Sequence, residues 1–236
     1  MSTLLCGWAA RTATFPVPCA SSRRHSPILA LVRTGILGGT FDPIHIAHLH
    51  AAETALFAGL DRILFVPTGD PWQKEDRELS LVGHRIAMVE IAISGVPGFE
   101  IDLRETEREG PTYTVDTVLS FPDTEELFLV LGADAAAGIR TWHRWQEVVD
   151  RSRVVVVPRP GTPASAVTEA LPGALRLEMA ALDISSTMIR ALAREGRPFR
   201  FLVPEGVNDY IADNNLYAKP ESGDMVEQII REERLS

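Results

Sequence analysis

The stretch Gly35-Ile-Leu-Gly-Gly-Thr-Phe-Asp-Pro-Ile-His-Ile-Ala-His48 runs from a strand through a glycine turn into a helix. Gly38 and Gly39 have no side chains, so their backbone N–H groups can approach an anion, and the next helix offers its positive N-terminal end. His45 and His48 lie three residues apart, on one face of the helix start. Imidazoles at this place can donate hydrogen bonds to phosphate oxygens during phosphoryl or nucleotidyl transfer. We therefore expect a phosphate site in which both histidines are catalytic.

Three other kinds of site fit this stretch poorly. Its glycine spacing is not the G-x-G-x-x-G of dinucleotide-binding proteins, and it lacks the G-K-[ST] of a P-loop. A zinc-protease helix needs histidines four apart with a glutamate beside the first, whereas Ile46 and Ala47 stand between these two. We predict no protein-bound metal, and we interpret His50 as an ordinary surface residue.

Strand-like and helix-like segments alternate along the rest of the chain. Apolar runs predict strands at 34–37, 62–67, 99–103, 127–131 and 153–157, and helical spacing predicts helices at 45–60, 80–94, 114–120 and 145–149. Such alternation indicates an α/β fold, a mainly parallel sheet with helices on both faces and ligands at the carboxyl ends of its strands. Since no linker-like segment divides residues 33–217, we predict one domain there.

The charge distribution restricts the possible partners. The 236 residues carry a formal charge of −9, which argues against a general nucleic-acid-binding surface. No apolar run approaches the roughly 20 residues that a membrane span needs. Both cysteines, Cys6 and Cys19, lie in the first 33 residues, which contain four arginines and no acid. The rest of the chain therefore excludes disulfides and suits a reducing cytoplasm.

The two ends of the chain are expected to lie outside the domain. Residues 1–32 lack a sustained period, and three interpretations stay open: a start assigned too far upstream, a disordered native tail, or a targeting segment. We prefer the first, with translation beginning near Val32, because the strong use of Arg over Lys is typical of a GC-rich genome. Residues 218–236 form a charged tail, either disordered or a short added helix.

A second informative stretch, Asp183-Ile-Ser-Ser-Thr-Met-Ile-Arg190, precedes an amphipathic run that ends at Gly196. Ser185 or Ser186 is a natural N-cap, and Arg190 shares a face with Ser186. A helix N-terminus with hydroxyls and a forked cation suits polyphosphate. Taken alone, the pattern is more typical of a capped surface helix.

Together the two stretches resemble the signatures of the nucleotidyltransferase superfamily, G-G-[ST]-F-D-P-x-H-x-G-H and I-S-S-T-x-x-R. They resemble in particular those of bacterial nicotinate-nucleotide adenylyltransferases, which have a Rossmann-like fold. One position departs, since Ala47 stands where the family usually has glycine. A methyl group adds little bulk and favours the helix, so we expect it to be tolerated.

The resemblance implies roles for further residues. Lys74 and Arg190 would join the histidines in stabilising the polyphosphate, and Trp142 would stack on the pyridine ring. Arg85 stands at the position of a family arginine, although a structural salt bridge explains it equally well. The backbone of Thr112, Tyr113 and Thr114 would hold the nicotinate carboxylate. The residues expected to bind ATP are Gly38, Gly39, Thr40, Phe41, Gly132, Asp134, Ile184, Ser185 and Ser186.

The implied reaction is AMP transfer from ATP to nicotinate mononucleotide, with Mg2+ accompanying the triphosphate. It yields deamido-NAD and pyrophosphate in the biosynthesis of NAD. Two alternatives remain: an adenylyltransferase for nicotinamide mononucleotide, phosphopantetheine or FMN, and a catalytically silent nucleotide-binding protein. We expect a cytoplasmic protein with no nucleic-acid or membrane partner, and the sequence is compatible with a homo-oligomer.

Overall fold

The computed structural model describes residues 31–69 and 79–218. Its chain divides into two compact units, each drawn from three separate stretches. Among the described residues, the sheet unit comprises residues 31–40, 47–69 and 93–183, and the helical unit comprises residues 41–46, 79–92 and 184–218. The predicted terminal segments, apart from a residue or two beside the domain, lie outside the described residues, and the predicted domain limits stay a prediction.

The sheet unit is built on six parallel strands in the order β3-β2-β1-β4-β5-β6. Their bounds are β1 Val32–Gly39, β2 Arg62–Pro67, β3 Phe99–Ile101, β4 Glu125–Gly132, β5 Ser152–Val157 and β6 Leu175–Arg176. The central strands are runs of buried aliphatic residues, as expected where helices cover a parallel sheet. The predicted α/β class is confirmed.

Helices follow most of the strands. Those of the sheet unit are α1 Ile46–Phe57, α3 Thr114–Leu119, α4 Ala133–Ala137, α5 Trp145–Arg151 and α6 Ala164–Ala170. Those of the helical unit are α2 Val82–Ile93, α7 Ser186–Arg194 and α8 Glu205–Asp213. The predicted helices are present with shifted ends, whereas α4, α6, α8 and β6 were not predicted. Within the described ranges, no helix is both long and apolar enough to cross a membrane.

The core of the sheet unit joins strand and helix side chains. Val115 and Val118 stand three apart on one face of α3, and both are fully buried. They belong to one apolar cluster with Leu129 of β4, Val148 of α5 and Val156 of β5. This packing fixes the beginning of α3 relative to the sheet.

Polar contacts lock the amino ends of β1, β2 and β4. Arg62 Nη2 lies 2.9 Å from Glu125 Oε2, and the Thr34 hydroxyl donates to the same oxygen at 2.7 Å. A further ion pair joins Arg62 to Glu100 of β3 at 3.1 Å. Burial of Glu125 disfavours its ionisation, but the hydrogen bonds from Thr34 and Arg62 outweigh that and hold its pKa below the usual value. The polar side chains of Thr34, Arg62, Glu100 and Glu125 at this edge are thus joined by hydrogen bonds and ion pairs.

Candidate active site

The opposite edge of the sheet contains the point where strand order reverses. β1 pairs with β2 on one side and with β4 on the other, so its carboxyl end faces two loops that diverge. In open parallel sheets, ligands bind in the crevice outside such a switch point. Gly38 and Gly39 end β1 and Gly132 ends β4, so both predicted glycine segments lie at this crevice.

Gly38 and Gly132, both at the switch point, differ in the space that surrounds them. A Cβ on Gly132 would lie 2.6 Å from Asp134 Oδ1 and 3.4 Å from Arg159 Cγ, so a side chain there would require the exposed Asp134 side chain to move. A Cβ on Gly38 would meet nothing within 4 Å. Packing therefore does not require glycine at position 38. The open space beside Gly38 would allow a phosphate to approach the backbone N–H groups closely.

A cation that sequence reasoning missed lies at the same edge. Arg159 follows β5, and its Nε lies 3.6 Å from Oδ1 of the largely exposed Asp134, in the first turn of α4. The available signal was a basic residue directly after a buried strand, which parallel topology places at the ligand edge. The site therefore contains an ion pair beside Gly132.

The two signature histidines differ in exposure. His48 lies in the first turn of α1 and is half-buried, as a residue that contacts a ligand can be. His45 directly precedes α1, in the 41–46 segment of the helical unit, and only 2% of its surface is exposed. His48 thus presents its side chain near the surface, whereas the position of His45 depends on the conformation of residues 41–46.

An aromatic surface lies next to the beginning of α3. The rings of Tyr113 and His143 are 4.5 Å apart at 39°. Trp142 is half-buried and packs with Tyr113 against the core of the sheet unit. Thr112 is buried, and Tyr113 has extended backbone just before the helix at Thr114. The structure thus places the predicted carboxylate-binding segment and Trp142 on the same core, together with His143, which was not assigned a role.

The buried carboxyl of Glu105 hydrogen-bonds to α3, the helix that begins at Thr114. The Thr117 hydroxyl donates to Glu105 Oε1 at 2.6 Å, and both residues are buried. Burial raises the pKa of Glu105, although the Thr117 hydrogen bond opposes the shift. A Cβ on Gly69 would collide with the Glu105 carbonyl oxygen. Sequence reasoning missed both Glu105 and Gly69, because long-range contacts create their roles.

The helical unit contains a second buried carboxyl, Asp42, within the first signature. Its exposed fraction is 0%. The Tyr217 hydroxyl donates to Oδ1 at 2.6 Å, and the Ser80 backbone N–H donates to Oδ2 at 3.3 Å. Burial raises the pKa of the Tyr217 phenol, and the adjacent Asp42 raises it further, so this hydroxyl stays a proton donor at neutral pH. Neither Asp42 nor Tyr217 was predicted as a site residue.

The second signature is joined to the first through the same segment. Arg190 Nη1 donates to the Asp42 carbonyl oxygen at 2.6 Å, and the Ser186 hydroxyl donates to the Pro43 carbonyl oxygen at 2.9 Å. Ser185 accepts from the Met188 N–H at 3.2 Å, which confirms it as the N-cap of α7. In this structure both Arg190 and Ser186 hold residues 42–43, and their contacts with phosphate stay predictions.

Two more predicted residues belong to this part of the helical unit. Phe41 is buried with φ +48°, a left-handed conformation that side chains seldom adopt and that surrounding contacts must maintain. Arg85 is buried, and its Nε donates to the Ser80 carbonyl oxygen at 3.3 Å. Burial lowers the pKa of Arg85, and the charge of Asp42 opposes that shift. Arg85 therefore lies close enough to Asp42 to balance its charge.

The remaining predicted residues are placed as follows. Thr40 follows β1, and Ile184 precedes the α7 cap. Lys74 lies outside the described residues. Among residues 31–69 and 79–218, no three histidine, cysteine or carboxylate side chains are grouped as a metal site would need.

Comparisons with known proteins show the family to which the chain belongs. The model of the cytidylyltransferase-like family matches residues 36–192. A probable nicotinate-nucleotide adenylyltransferase of Corynebacterium kroppenstedtii is 46% identical over 192 residues, 78% of this chain and 90% of the relative. One from Mycolicibacterium smegmatis is 41% identical, over 84% and 98%. The structure of Plasmodium falciparum nicotinic acid mononucleotide adenylyltransferase complexed with NaAD has a TM-score of 0.65 at 22% identity, over 78% and 97%.

Proposed function

The chain belongs to the cytidylyltransferase-like family, and on that premise we propose that it transfers AMP from ATP to nicotinate mononucleotide. The products are deamido-NAD and pyrophosphate. One observation carries the proposal: Gly38 and Gly39 end the central strand at the switch point, with open space at Gly38 and His48 in the next helical turn. The names of relatives at 41–46% identity support the acceptor.

The chemistry needs no protein nucleophile. A phosphate oxygen of nicotinate mononucleotide attacks the α-phosphorus of ATP and forms the new P–O bond. The bond from the α-phosphorus to the oxygen bridging it to the β-phosphate breaks, and pyrophosphate leaves with that electron pair. The protein contributes positioning and stabilisation of the charge that moves onto the phosphate oxygens. His45 and His48 donate hydrogen bonds to those oxygens, and the Gly38–Gly39 backbone binds the triphosphate.

Acceptor choice follows from hydrogen-bond chemistry at the beginning of α3. The backbone N–H groups of residues 112–114 are donors, and a nicotinate carboxylate accepts on both oxygens. Nicotinamide would turn an NH2 group toward the same donors and leave buried groups unpaired. Trp142, half-buried beside this segment, supplies a ring for stacking on the pyridine.

Several further features belong to the proposal. Mg2+ enters with ATP and neutralises part of its charge, and Lys74 and Arg190 reach the polyphosphate when substrate is bound. Asp134 and Gly132 lie at the nucleoside part of ATP, beside the switch point. The absence of cysteine from residues 34–236 supports a cytoplasmic enzyme. Assembly into homo-oligomers is compatible with this function.

The decisive experiment measures pyrophosphate release by the purified full chain with ATP and Mg2+. Nicotinate mononucleotide, nicotinamide mononucleotide, phosphopantetheine and FMN are offered separately. We expect release with nicotinate mononucleotide and a much lower kcat/KM with the amide. Preference for another acceptor would overturn the substrate assignment. Nucleotide binding without release for any acceptor would identify a catalytically silent protein, an outcome that Ala47 makes worth testing.

A further inference from the structure

Asp42 is the point where three distant parts of the helical unit meet. Ser80 reaches its carboxylate from the segment before α2, Arg190 reaches its carbonyl oxygen from α7, and Tyr217 reaches its carboxylate from the segment after α8. Arg190 Nη1 also lies 3.9 Å from Asp42 Oδ2, which is the longest of these contacts. The Tyr217 bond, at 2.6 Å, is the shortest contact with the carboxylate itself.

We propose that Tyr217 is a positioning residue, whose hydroxyl holds the Asp42 carboxylate and thereby fixes residues 41–46 in the conformation that orients His45. This inference rests on the proposed function, because it assigns His45 to the reacting phosphates. In this proposal Tyr217 acts on His45 indirectly. Its effect passes through one hydrogen bond and three residues of backbone.

The backbone of the 41–46 segment needs such support. Phe41 has φ +48°, and a non-glycine residue in this region costs of order 1–3 kcal/mol unless its surroundings maintain it. Asp42 follows directly, and His45 is three residues further along the same buried segment. The contacts that hold Asp42 therefore also maintain the conformation of Phe41 and determine where the His45 backbone lies.

The backbone conformation after α8 places the Tyr217 phenol next to Asp42. Asn215 and Tyr217 both have positive φ, at +50° and +64°. Two non-glycine residues in the left-handed region within three positions are unusual, and for a bulky residue such as tyrosine the conformation is an outlier. The turn is unfavourable by itself, and the short bond to Asp42 is a contact that compensates for it. A segment that served only to end the domain would not require this geometry.

A matched tyrosine provides the control. Tyr210, in α8 of the same unit, has its hydroxyl 2.9 Å from His84 Nδ1. Tyr210→Phe therefore removes one side-chain hydrogen bond from the same residue type in the same unit, without touching Asp42. Because the Tyr217 hydroxyl donates to a buried carboxylate, Tyr217→Phe should destabilise more than Tyr210→Phe, and an effect on catalysis in the fully folded protein should be confined to Tyr217→Phe.

The first measurement is steady-state turnover of the full chain with ATP and nicotinate mononucleotide, well below the melting temperature of each variant. Tyr217→Phe should lower kcat about tenfold, the equivalent of one hydrogen bond to a charged group, with KM for both substrates changed less than about threefold. Tyr210→Phe should keep kcat within about twofold of the unchanged protein. An unchanged kcat in Tyr217→Phe, or an equal loss in both variants, would overturn the proposal.

A double-mutant cycle with Asp42→Asn tests whether the effect passes through this contact. Asp42→Asn keeps an oxygen that can accept from the Tyr217 hydroxyl but removes its charge. Tyr217→Phe should therefore cost less activity in the Asp42→Asn background than in the unchanged protein, and the double variant should lose less than the sum of the single losses. Additive losses would show that Tyr217 acts by another route. Asp42→Asn conserves size, so it also provides a test if Tyr217→Phe does not fold.

Histidine NMR separates this proposal from the proposed function. In the full chain with isotope-labelled histidine, Tyr217→Phe should move the His45 ring resonances and leave those of His84 in place. Tyr210→Phe should do the reverse, and His45→Gln and His84→Gln assign the signals. If the unchanged protein releases no pyrophosphate, the proposed function fails, and the NMR result still decides the positioning role: an unmoved His45 signal in Tyr217→Phe would refute it.

Discussion

Replacing Thr117 by valine removes one buried hydrogen bond beneath the segment proposed to bind the acceptor. Valine has nearly the same shape as threonine, and the side chain of Thr117 is fully buried, so packing is conserved. The bond that is lost joins its hydroxyl to Glu105 Oε1 at 2.6 Å. A hydrogen bond to a charged group contributes about 1.5–3 kcal/mol, so we expect a loss of about 2 kcal/mol at about pH 8. For a chain of this size that corresponds to a melting temperature lower by about 4–8 °C.

The loss should depend on pH, with a sign fixed by Glu105. Its pKa is raised in the folded protein above the usual 4.5, so the folded state keeps a proton that the unfolded state has released. The contribution of Glu105 to stability is therefore present at low pH and declines as pH rises through the folded pKa. Thr117→Val removes a bond that favours the charged form and raises this pKa further. Its cost should be smaller at about pH 4 than at about pH 8, because the raised pKa leaves more of the Glu105 carboxyl neutral at the lower pH.

Urea unfolding at both pH values measures the effect, with Thr117→Ser as the variant that keeps the hydroxyl. In a Glu105→Gln background, which has no charge to titrate, Thr117→Val should cost the same at both pH values. A cost in the unchanged background that does not vary with pH would refute the assignment of a hydrogen bond to a titrating Glu105 carboxyl at this position.

Three further predictions concern the catalytic edge and the opposite edge of the sheet. His48→Ala should lower kcat by at least about a hundredfold with an unchanged circular dichroism spectrum, the effect of losing one transition-state donor; near-normal turnover would contradict its assignment. Trp142→Ala should raise KM for nicotinate mononucleotide about tenfold or more and leave KM for ATP within about twofold, because stacking is worth about 1–3 kcal/mol; equal changes in both KM values would place the ring elsewhere. Because the pKa of Glu125 is lowered, its stabilising contribution is present at neutral pH and is lost as pH falls below about 4.5. Glu125→Gln should therefore destabilise more at about pH 7 than at about pH 3 in thermal melts, and a uniform effect would argue against the ion pair.

The fold was largely readable because its strands are buried on both faces. Runs such as residues 62–67 and 153–157 are apolar throughout, and the structure has strands at 62–67 and 152–157. The short elements were not predicted for a physical reason: α4, with sequence Ala-Asp-Ala-Ala-Ala, has too few residues to show a helical period. Strand β6 has two residues, and its pairing with β5 is a tertiary contact.

Residues of the proposed site were readable where the chemistry is local to the sequence. Gly38 and Gly39 lie in the same short stretch of sequence as His45 and His48, so the spacing of these residues alone predicted a phosphate site. Parallel topology places the two glycines at the switch point. Glu105 had no such signal, because its burial and its Thr117 partner arise only when the segment after β3 packs beneath α3. Arg159 was readable in principle as a cation directly following β5.

The second signature shows why a motif can be found by spacing and still be understood only in part. Ser186 and Arg190 are residue types that suit polyphosphate, yet in this structure both donate to backbone oxygens of Asp42 and Pro43. These bonds connect positions more than 140 residues apart in sequence. If the same side chains also bind phosphate, substrate must compete with, or add to, the contacts that hold the histidine segment. Binding of the triphosphate and placement of His45 are then coupled through Asp42, whose carboxylate Tyr217 and Ser80 hold independently of Arg190 and Ser186.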